Sequence, residues 1–109
     1  MLRVITMTSY RRPDYTREVL AALANCDEID DWLLLPNVEP GNEEVVELFR
    51  AWDACESRLV VNKKRLGLNR NTHEAVYRAF QLRADVMVHL EDDTVPSFTA
   101  TNEFLIQFF

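Results

Sequence analysis

Three acidic side chains stand next to one another near the end of the chain, at Glu91, Asp92 and Asp93. Adjacent carboxylates repel one another, and a bound cation offsets that repulsion. Hard divalent ions such as Mg²⁺ take oxygen ligands, often from one or two carboxylates together with substrate phosphates. The alternative interpretation is a solvated acidic turn or a helix N-cap. Because the three carboxylates directly follow an apolar strand pattern, we favour a metal and diphosphate site.

A basic segment lies earlier in the chain, where Lys63, Lys64 and Arg65 are followed by Arg70. Cationic side chains here can meet phosphate oxygens, and the positive N-terminal end of a following helix would add to them. The alternative is that long basic side chains simply solvate a loop. We prefer that alternative for the two lysines, and we keep both interpretations open for Arg65 and Arg70.

Polar and aromatic residues also follow the first two predicted strands. Thr8, Tyr10 and Arg11 come directly after the first strand, where hydroxyls and a ring can hold a ribose and a nucleobase. Tyr10 can equally cover the core. Glu39 follows the second strand and can accept a hydrogen bond from a base edge, although a single surface glutamate is usually just solvated.

The cysteines and histidines do not form a ligand pattern. Cys26 and Cys55 have no paired spacing, so neither a zinc site nor a disulfide framework is indicated. We expect both thiols to act as small apolar groups. His73 lies near a predicted helix start and His89 lies inside an apolar strand, and we interpret both as structural.

Composition narrows the class of partner. The 109 residues carry a formal charge of −6, from 12 basic and 18 acidic side chains, which argues against nucleic acid as a partner. Local basic clusters in an acidic chain suit a small anionic ligand better. We see no signal peptide and no apolar run long enough for a membrane span. We therefore expect a soluble, cytoplasmic protein.

The elements that must position these residues alternate along the chain. Short apolar runs and amphipathic segments predict the order β-α-β-α-β-α-β-α within one domain over residues 1–109. The predicted strands are 2–7, 32–35, 58–61 and 85–90. Continuous apolar strands separated by helices predict an α/β, doubly wound, mainly parallel sheet with helices on both faces. Ligands of such sheets bind at the carboxyl ends of the strands, where all four polar segments fall.

The predicted helices each have an apolar stripe. We expect helices over 14–25, from Asn42 onward, from about Asn69 onward and from Ser97 onward. The inward residues are predicted to be Thr16, Val19, Leu20 and Leu23 in the first; Val45, Leu48, Phe49 and Trp52 in the second; Thr72, Val76, Ala79 and Phe80 in the third; and Thr101, Phe104, Leu105 and Phe108 in the last.

Three segments together resemble the GT-A glycosyltransferases. The run from Val4 to Pro13 resembles their opening strand and turn, and the run from Asn62 to Asn71 is similar to the stretch before their third helix. The sequence from Leu90 to Asp93, followed by Pro96, looks like their D-x-D motif. The resemblance covers nearly the whole chain in the right order.

This resemblance implies sheet order 3-2-1-4, a nucleotide-diphosphate sugar as ligand and Mn²⁺ or Mg²⁺ as metal. It implies that Asp93 is the principal metal ligand, supported by Glu91, and that Asp92 lies nearer the ribose or a metal-bound water. For the remaining donor-binding positions, the resemblance implies that Thr8, Tyr10 and Arg11 line the base and ribose. It implies that Glu39 is the acidic contact to the base. Arg65 or Arg70 would be the basic position.

The chain also departs from the GT-A pattern. The second strand ends in Pro36, Asn37, Val38 and Glu39 rather than in paired aspartates. The length is about half that of such enzymes, so we expect the donor-binding half without the acceptor-binding half. The acceptor is unknown and no general base is evident. A binding or interaction domain that keeps the fold without chemistry is the alternative.

Two further expectations concern other folds and assembly. A signalling-receiver-like domain is disfavoured, because receivers have an acidic pair after the first strand and this chain has Thr8 and Ser9 there. The fourth strand would be an open edge of the sheet, which predicts self-association into a homo-oligomer.

Overall fold

The computed structural model describes residues 1–92, 94–98 and 104–108. The strands are β1 (Arg3–Ser9), β2 (Trp32–Val38), β3 (Glu56–Ser57), β4 (Val60–Val61), β5 (Val86–Glu91), β6 (Thr94–Phe98) and β7 (Phe104–Phe108). The helices are α1 (Pro13–Ala24), α2 (Glu43–Arg50) and α3 (Leu68–Gln81), with a single 3-10 turn at Ile29–Asp31.

The main sheet is parallel and has the expected order. β1 pairs with β2 on one side and with β5 on the other, while β3 and β4 both pair with β2. The single strand expected over 58–61 is thus two short strands, and with that division the order 3-2-1-4 is confirmed. The strand order reverses at β1, which makes its carboxyl end the place where a ligand is expected.

Alternate residues of the strands pack on opposite faces of this sheet. Ile5, Met7 and Leu34 belong to the larger apolar cluster, which includes the buried faces of α1 and α2. Val4 and Leu33 belong to the smaller cluster, which includes Ala79 of α3. Helices therefore cover both faces, as the continuous apolar strands predicted.

Buried polar pairs accompany the apolar contacts of β1. Thr6 Oγ1 and His89 Nδ1 lie 2.8 Å apart between β1 and β5, and Ser9 Oγ lies 2.8 Å from Thr16 Oγ1 of α1. Burial lowers the pKa of His89. The neutral ring is therefore the form at pH 7, which agrees with the structural role expected for this side chain.

The local sequence explains where the helices begin. Pro13 occupies the first turn of α1, where its missing N–H costs nothing. The Asn42 Oδ1 atom accepts a hydrogen bond of 3.1 Å from the Val45 N–H and caps α2, whose first turn carries Glu43 and Glu44. Both acidic side chains interact favourably with the positive end of the helix dipole.

The expected inward face of α3 is confirmed at Ala79 and wrong at Phe80, while Thr72 and Val76 are only half-buried. Asn71, Ala75 and Ala79 are the buried residues, whereas Phe80 is 69% exposed. Small residues let α3 lie close to β1 and β2, and the buried amide of Asn71 is held by hydrogen bonds. The sequence pattern favoured the larger apolar residues, and this packing overrides that preference.

The helix expected from Ser97 onward was also wrong. Residues Thr94–Phe98 and Phe104–Phe108 form an antiparallel pair, β6 with β7, in which Thr94 is opposite Phe108. Both segments are rich in aromatic and β-branched residues, which favour strands. Thr101 lies outside the described residues. Self-association through β5, the outermost described strand on that side of the main sheet, stays a prediction.

We expect Asn42→Ala to lower the free energy of unfolding by about 1 kcal/mol, because the first turn of α2 loses its capping acceptor. Urea denaturation followed by circular dichroism measures this. Asn25→Ala is the matched control, because Asn25 is an exposed C-cap residue of α1 that caps through its backbone. Equal destabilisation by the two substitutions would contradict the role of the Asn42 side chain.

Candidate functional site

A cleft of about 250 Å³ lies at the carboxyl ends of the central strands. Its walls come from the segments that follow β1, β2 and β4, from the start of α3 and from the end of β5. The lining residues are Thr8, Ser9, Tyr10, Arg11, Arg12, Glu39, Arg65, Gly67, Leu68, Asn71, Glu91 and Asp92. The reversal of strand order at β1 thus produces the opening that this topology predicts.

Backbone hydrogen bonds continue the sheet into the walls of the cleft. The Glu39 N–H donates to the Ser9 carbonyl at 3.0 Å, and the Asn62 N–H donates to the Val38 carbonyl at 2.8 Å. The segments that follow β1, β2 and β4 are consequently attached to one another just beyond the strands.

The buried Glu39 carboxylate fastens the basic segment. Oε1 accepts from Asn62 Nδ2 at 2.7 Å and from the Leu66 N–H at 3.1 Å. Oε2 accepts from the Leu66 N–H at 3.0 Å and from the Gly67 N–H at 2.8 Å. Only 3% of this residue is exposed. A buried carboxylate needs several donors to remain ionised, and Glu39 has them.

The same contacts set the ionisation of Glu39. Burial by itself raises the pKa of its carboxyl group, whereas the hydrogen bonds from Leu66, Asn62 and Gly67 lower it. Together with the charge of Arg65 they outweigh burial, so the pKa lies below its ordinary value. Glu39 is therefore an anion at neutral pH.

Two asparagines extend this network toward α3. Asn62 Nδ2 also donates to Asn71 Oδ1 at 2.8 Å, so both of its hydrogens are used. Asn71 Nδ2 donates to the Asn37 carbonyl at 3.3 Å. These bonds fix the start of α3 against the end of β2.

Cations gather around the ring of Tyr10. The guanidinium carbon of Arg65 lies 4.8 Å from the ring centroid and that of Arg11 lies 5.2 Å from it. Both distances are within the range of a cation–π contact. Two positive groups beside an aromatic face, at the mouth of a cleft, are suited to a ligand that combines a planar ring with negative charge.

Carboxylates line the cleft at the end of β5. Thr8 is the register partner of Glu91, and Asp92 follows Glu91 directly. Both acidic residues line the cleft and both are half-buried. Among residues 1–92 and the described strand residues after them, no group of three potential metal ligands is gathered. Two carboxylates that share an ion with ligand phosphates are nevertheless an accepted Mg²⁺ arrangement.

The structure thus brings most of the expected site residues together. Thr8, Tyr10, Arg11, Glu39, Arg65, Glu91 and Asp92 all line the cleft. Arg70 lies on the first turn of α3, is exposed and is not part of the lining. Lys63 and Lys64, which precede α3, are likewise exposed and outside the lining. Asp93 lies outside the described residues, so its role as metal ligand stays a prediction.

Sequence reasoning missed the residues that hold the site in shape. Asn62 and Asn71 served only as the bounds of the run that carries the resemblance, and Gly67 lies inside that run without a predicted role. The sequence did show one asparagine directly after a strand and another in the first turn of a helix, where amide side chains often hydrogen-bond to the backbone. Their value depends on a partner distant in sequence, which the local pattern does not reveal.

Comparison with known proteins gives a likeness of fold. No family model matches the chain, and no curated protein matches it. Among solved structures, S. aureus TarS 1–349 in complex with UDP matches with a TM-score of 0.68 at 14% sequence identity. The match covers 89% of this chain and 29% of the TarS chain, so this chain spans under a third of that structure.

The likeness to TarS confirms the fold class, the mainly parallel α/β sheet with its expected order. At 14% sequence identity this likeness concerns the fold alone. No described helix has the length and apolar character that crossing a membrane requires.

Gly67 has φ +85° and ψ 163°, a conformation that almost only glycine adopts. We expect Gly67→Ala to lower the free energy of unfolding by about 1–3 kcal/mol. Among the described residues, no atom lies within 4 Å of an added Cβ, so the cost comes from the backbone. Chemical denaturation measures it, with the exposed Lys64→Ala as control. A Gly67→Ala protein as stable as this control would contradict the assigned backbone.

We expect Glu39→Gln to lower the free energy of unfolding by about 1–3 kcal/mol at pH 7, because an amide cannot accept all of these bonds. The pKa of Glu39 is lowered by folding, so its contribution is complete above the unfolded value of 4.5. It is lost as the pH falls through the lower folded value. Denaturation at several pH values checks this, and a difference that stays constant into acid would contradict it.

Proposed function

We propose that the chain binds a nucleotide-diphosphate sugar in this cleft and forms the donor-binding part of a metal-dependent glycosyltransferase. The observation that carries the proposal is the composition of one cleft. Its lining combines an aromatic ring and two guanidinium groups, from the segments after β1 and β4, with two carboxylates at the end of β5, beside the point where the strand order reverses. The aromatic and cationic groups suit the base and phosphates of a nucleotide, and the carboxylates suit a metal ion bound to its diphosphate.

The cationic side matches the negative part of the ligand. Arg65 and Arg11 are always charged, and guanidinium groups bind phosphate oxygens in a bidentate manner. The Tyr10 ring, which both guanidinium groups contact, is the aromatic surface available to a nucleobase, and the Thr8 hydroxyl belongs to the cleft lining. TarS, which shares the fold, holds UDP in its crystal structure.

The acidic side matches a divalent ion. Glu91 and Asp92 supply hard oxygen ligands, and Asp93 is the adjacent candidate on the sequence. Bound there, Mn²⁺ or Mg²⁺ would offset the negative charge of a diphosphate leaving group. Without an ion, the carboxylates would repel the diphosphate, so we propose that donor binding depends on the metal.

Transfer of the sugar to an acceptor is the second part of the proposal, beyond binding of the donor. The fold is of the kind expected for such an enzyme, and the donor side of the reaction is what this cleft suits. The chain spans 29% of the TarS structure, and an acceptor site is not assigned to any of the described residues. The acceptor, the sugar and the stereochemistry of transfer are therefore separate questions from donor binding.

Calorimetric titration of UDP and GDP with and without Mn²⁺ tests the donor site. We expect binding of at least one nucleotide in Mn²⁺ and at least tenfold weaker binding without it, a difference of about 1.4 kcal/mol. Asp92→Asn and Asp93→Asn should each reduce the effect of Mn²⁺, because each removes a charged oxygen ligand.

Asp53→Asn is the matched control, because Asp53 is an exposed aspartate that does not line this cleft. It should bind as the wild type does. Binding that ignores Mn²⁺ in all variants would contradict the metal dependence. A failure of the wild type to bind either nucleotide would contradict the donor site for these two bases.

A further inference from the structure

Glu39 stands where the GT-A resemblance implies an acidic contact to the base, yet its carboxylate is bound to groups of the chain itself. Both carboxylate oxygens accept hydrogen bonds from within the chain, from the Asn62 amide and from the N–H groups of Leu66 and Gly67. A carboxylate has about four acceptor positions, so most of its capacity is already used.

We infer that Glu39 is a positioning residue that holds the segment 62–67 and thereby places Arg65 over Tyr10, and that it does not read the nucleobase. This inference rests on the proposed function, because it assigns a role within the same ligand site. It makes the contribution of Glu39 to affinity independent of which base the nucleotide carries.

The energetics oppose a direct base contact. To turn toward a ligand, the carboxylate would have to release N–H groups of Leu66 and Gly67 that it now satisfies. An N–H group left without an acceptor loses about as much stabilisation as the new bond to the base would provide. The exchange therefore offers no net gain.

The geometry explains why Arg65 depends on Glu39. Arg65 stands between Asn62 on one side and Leu66 on the other, and both are bound to the same carboxylate. The Arg65 side chain itself is exposed, so its position over the Tyr10 ring depends on its backbone being held. If the segment 62–67 were not held, the Arg65 guanidinium would occupy many positions. Fixing it in one position when the ligand binds would then cost conformational entropy.

A double-mutant cycle tests the inference, with UDP and GDP as probes in saturating Mn²⁺. Glu39→Gln and Arg65→Gln should each weaken binding about tenfold, and by the same factor for every nucleotide that the wild type binds. Because Glu39 acts through Arg65, the double variant should bind no more than about twofold more weakly than the weaker single variant. Lys64→Gln, in the same segment and outside the cleft, should bind as the wild type does.

Hydrogen exchange of the free protein gives a readout that needs no ligand. The amides of Leu66 and Gly67 should exchange faster in Glu39→Gln and at the wild-type rate in Arg65→Gln, because only the first substitution removes their acceptor. Unchanged protection in Glu39→Gln would overturn the inference.

Asn62→Ala keeps the test decisive if Glu39→Gln does not fold. This variant loosens the segment and frees one acceptor position on Glu39 Oε1, which still accepts from the Leu66 N–H. A positioning role predicts weaker binding of each nucleotide that the wild type binds, whereas a base contact predicts equal or tighter binding.

The outcomes separate the two proposals. Loss of affinity for one nucleotide only, or losses that multiply to about a hundredfold in the double variant, would overturn the role of Glu39 and leave the donor site intact. If the wild type binds neither nucleotide, the proposed function fails for these bases and the ligand-linked part of this inference fails with it.

Discussion

The placement of β1 between two parallel neighbours is the constraint on which the rest of the structure depends. Its residues Val4–Ser9 are all buried, and it pairs along its length with β2 and with β5. Because the strand order reverses there, the segments that follow neighbouring strands must leave toward opposite faces and an opening remains between them. The cleft follows from the topology, and its chemistry follows from the residues placed around it.

A second level of order comes from one buried charge. Glu39 is expensive to bury, and that cost is offset by donors that only the folded segment 62–67 provides. The sheet, the basic segment and the start of α3 are therefore coupled, with Asn71 as the connection to the helix. Rigid support of this kind is what a binding site with exposed arginines requires.

Much of this arrangement was predictable from the sequence because it depends on periodicity. The apolar runs of β1, β2 and β5 and the stripe of α1 specify the sheet and its covered faces, and the acidic residues after the last of these strands indicate the site. Choosing Arg65 over Arg70 was not possible, because the choice depends on how the segment bends after Asn62. The turn at Gly67, with its positive φ, is part of that bend.

The incorrect predictions have a common physical cause. For α3, the preference for large apolar residues pointed to Phe80, whereas the close approach of the helix to the sheet selects Ala75 beside the expected Ala79. For residues 104–108, aromatic residues fit both a helical stripe and a strand, and pairing with Thr94–Phe98 decides between them. In each case a tertiary contact overrides a local pattern, which one sequence alone does not show.

The central claim is that a nucleoside diphosphate binds at the carboxyl ends of the strands. Titration of UDP, and separately of GDP, with Mg²⁺ into the isotopically labelled chain tests this most directly, with the amide NMR shifts as the readout. The account predicts shifts at Tyr10, Gly67 and Glu91, which line the cleft, and none at Leu2 or Trp32 at the opposite ends of the strands. Shifts confined to the opposite ends, or none anywhere at saturating concentrations of both nucleotides, would contradict it.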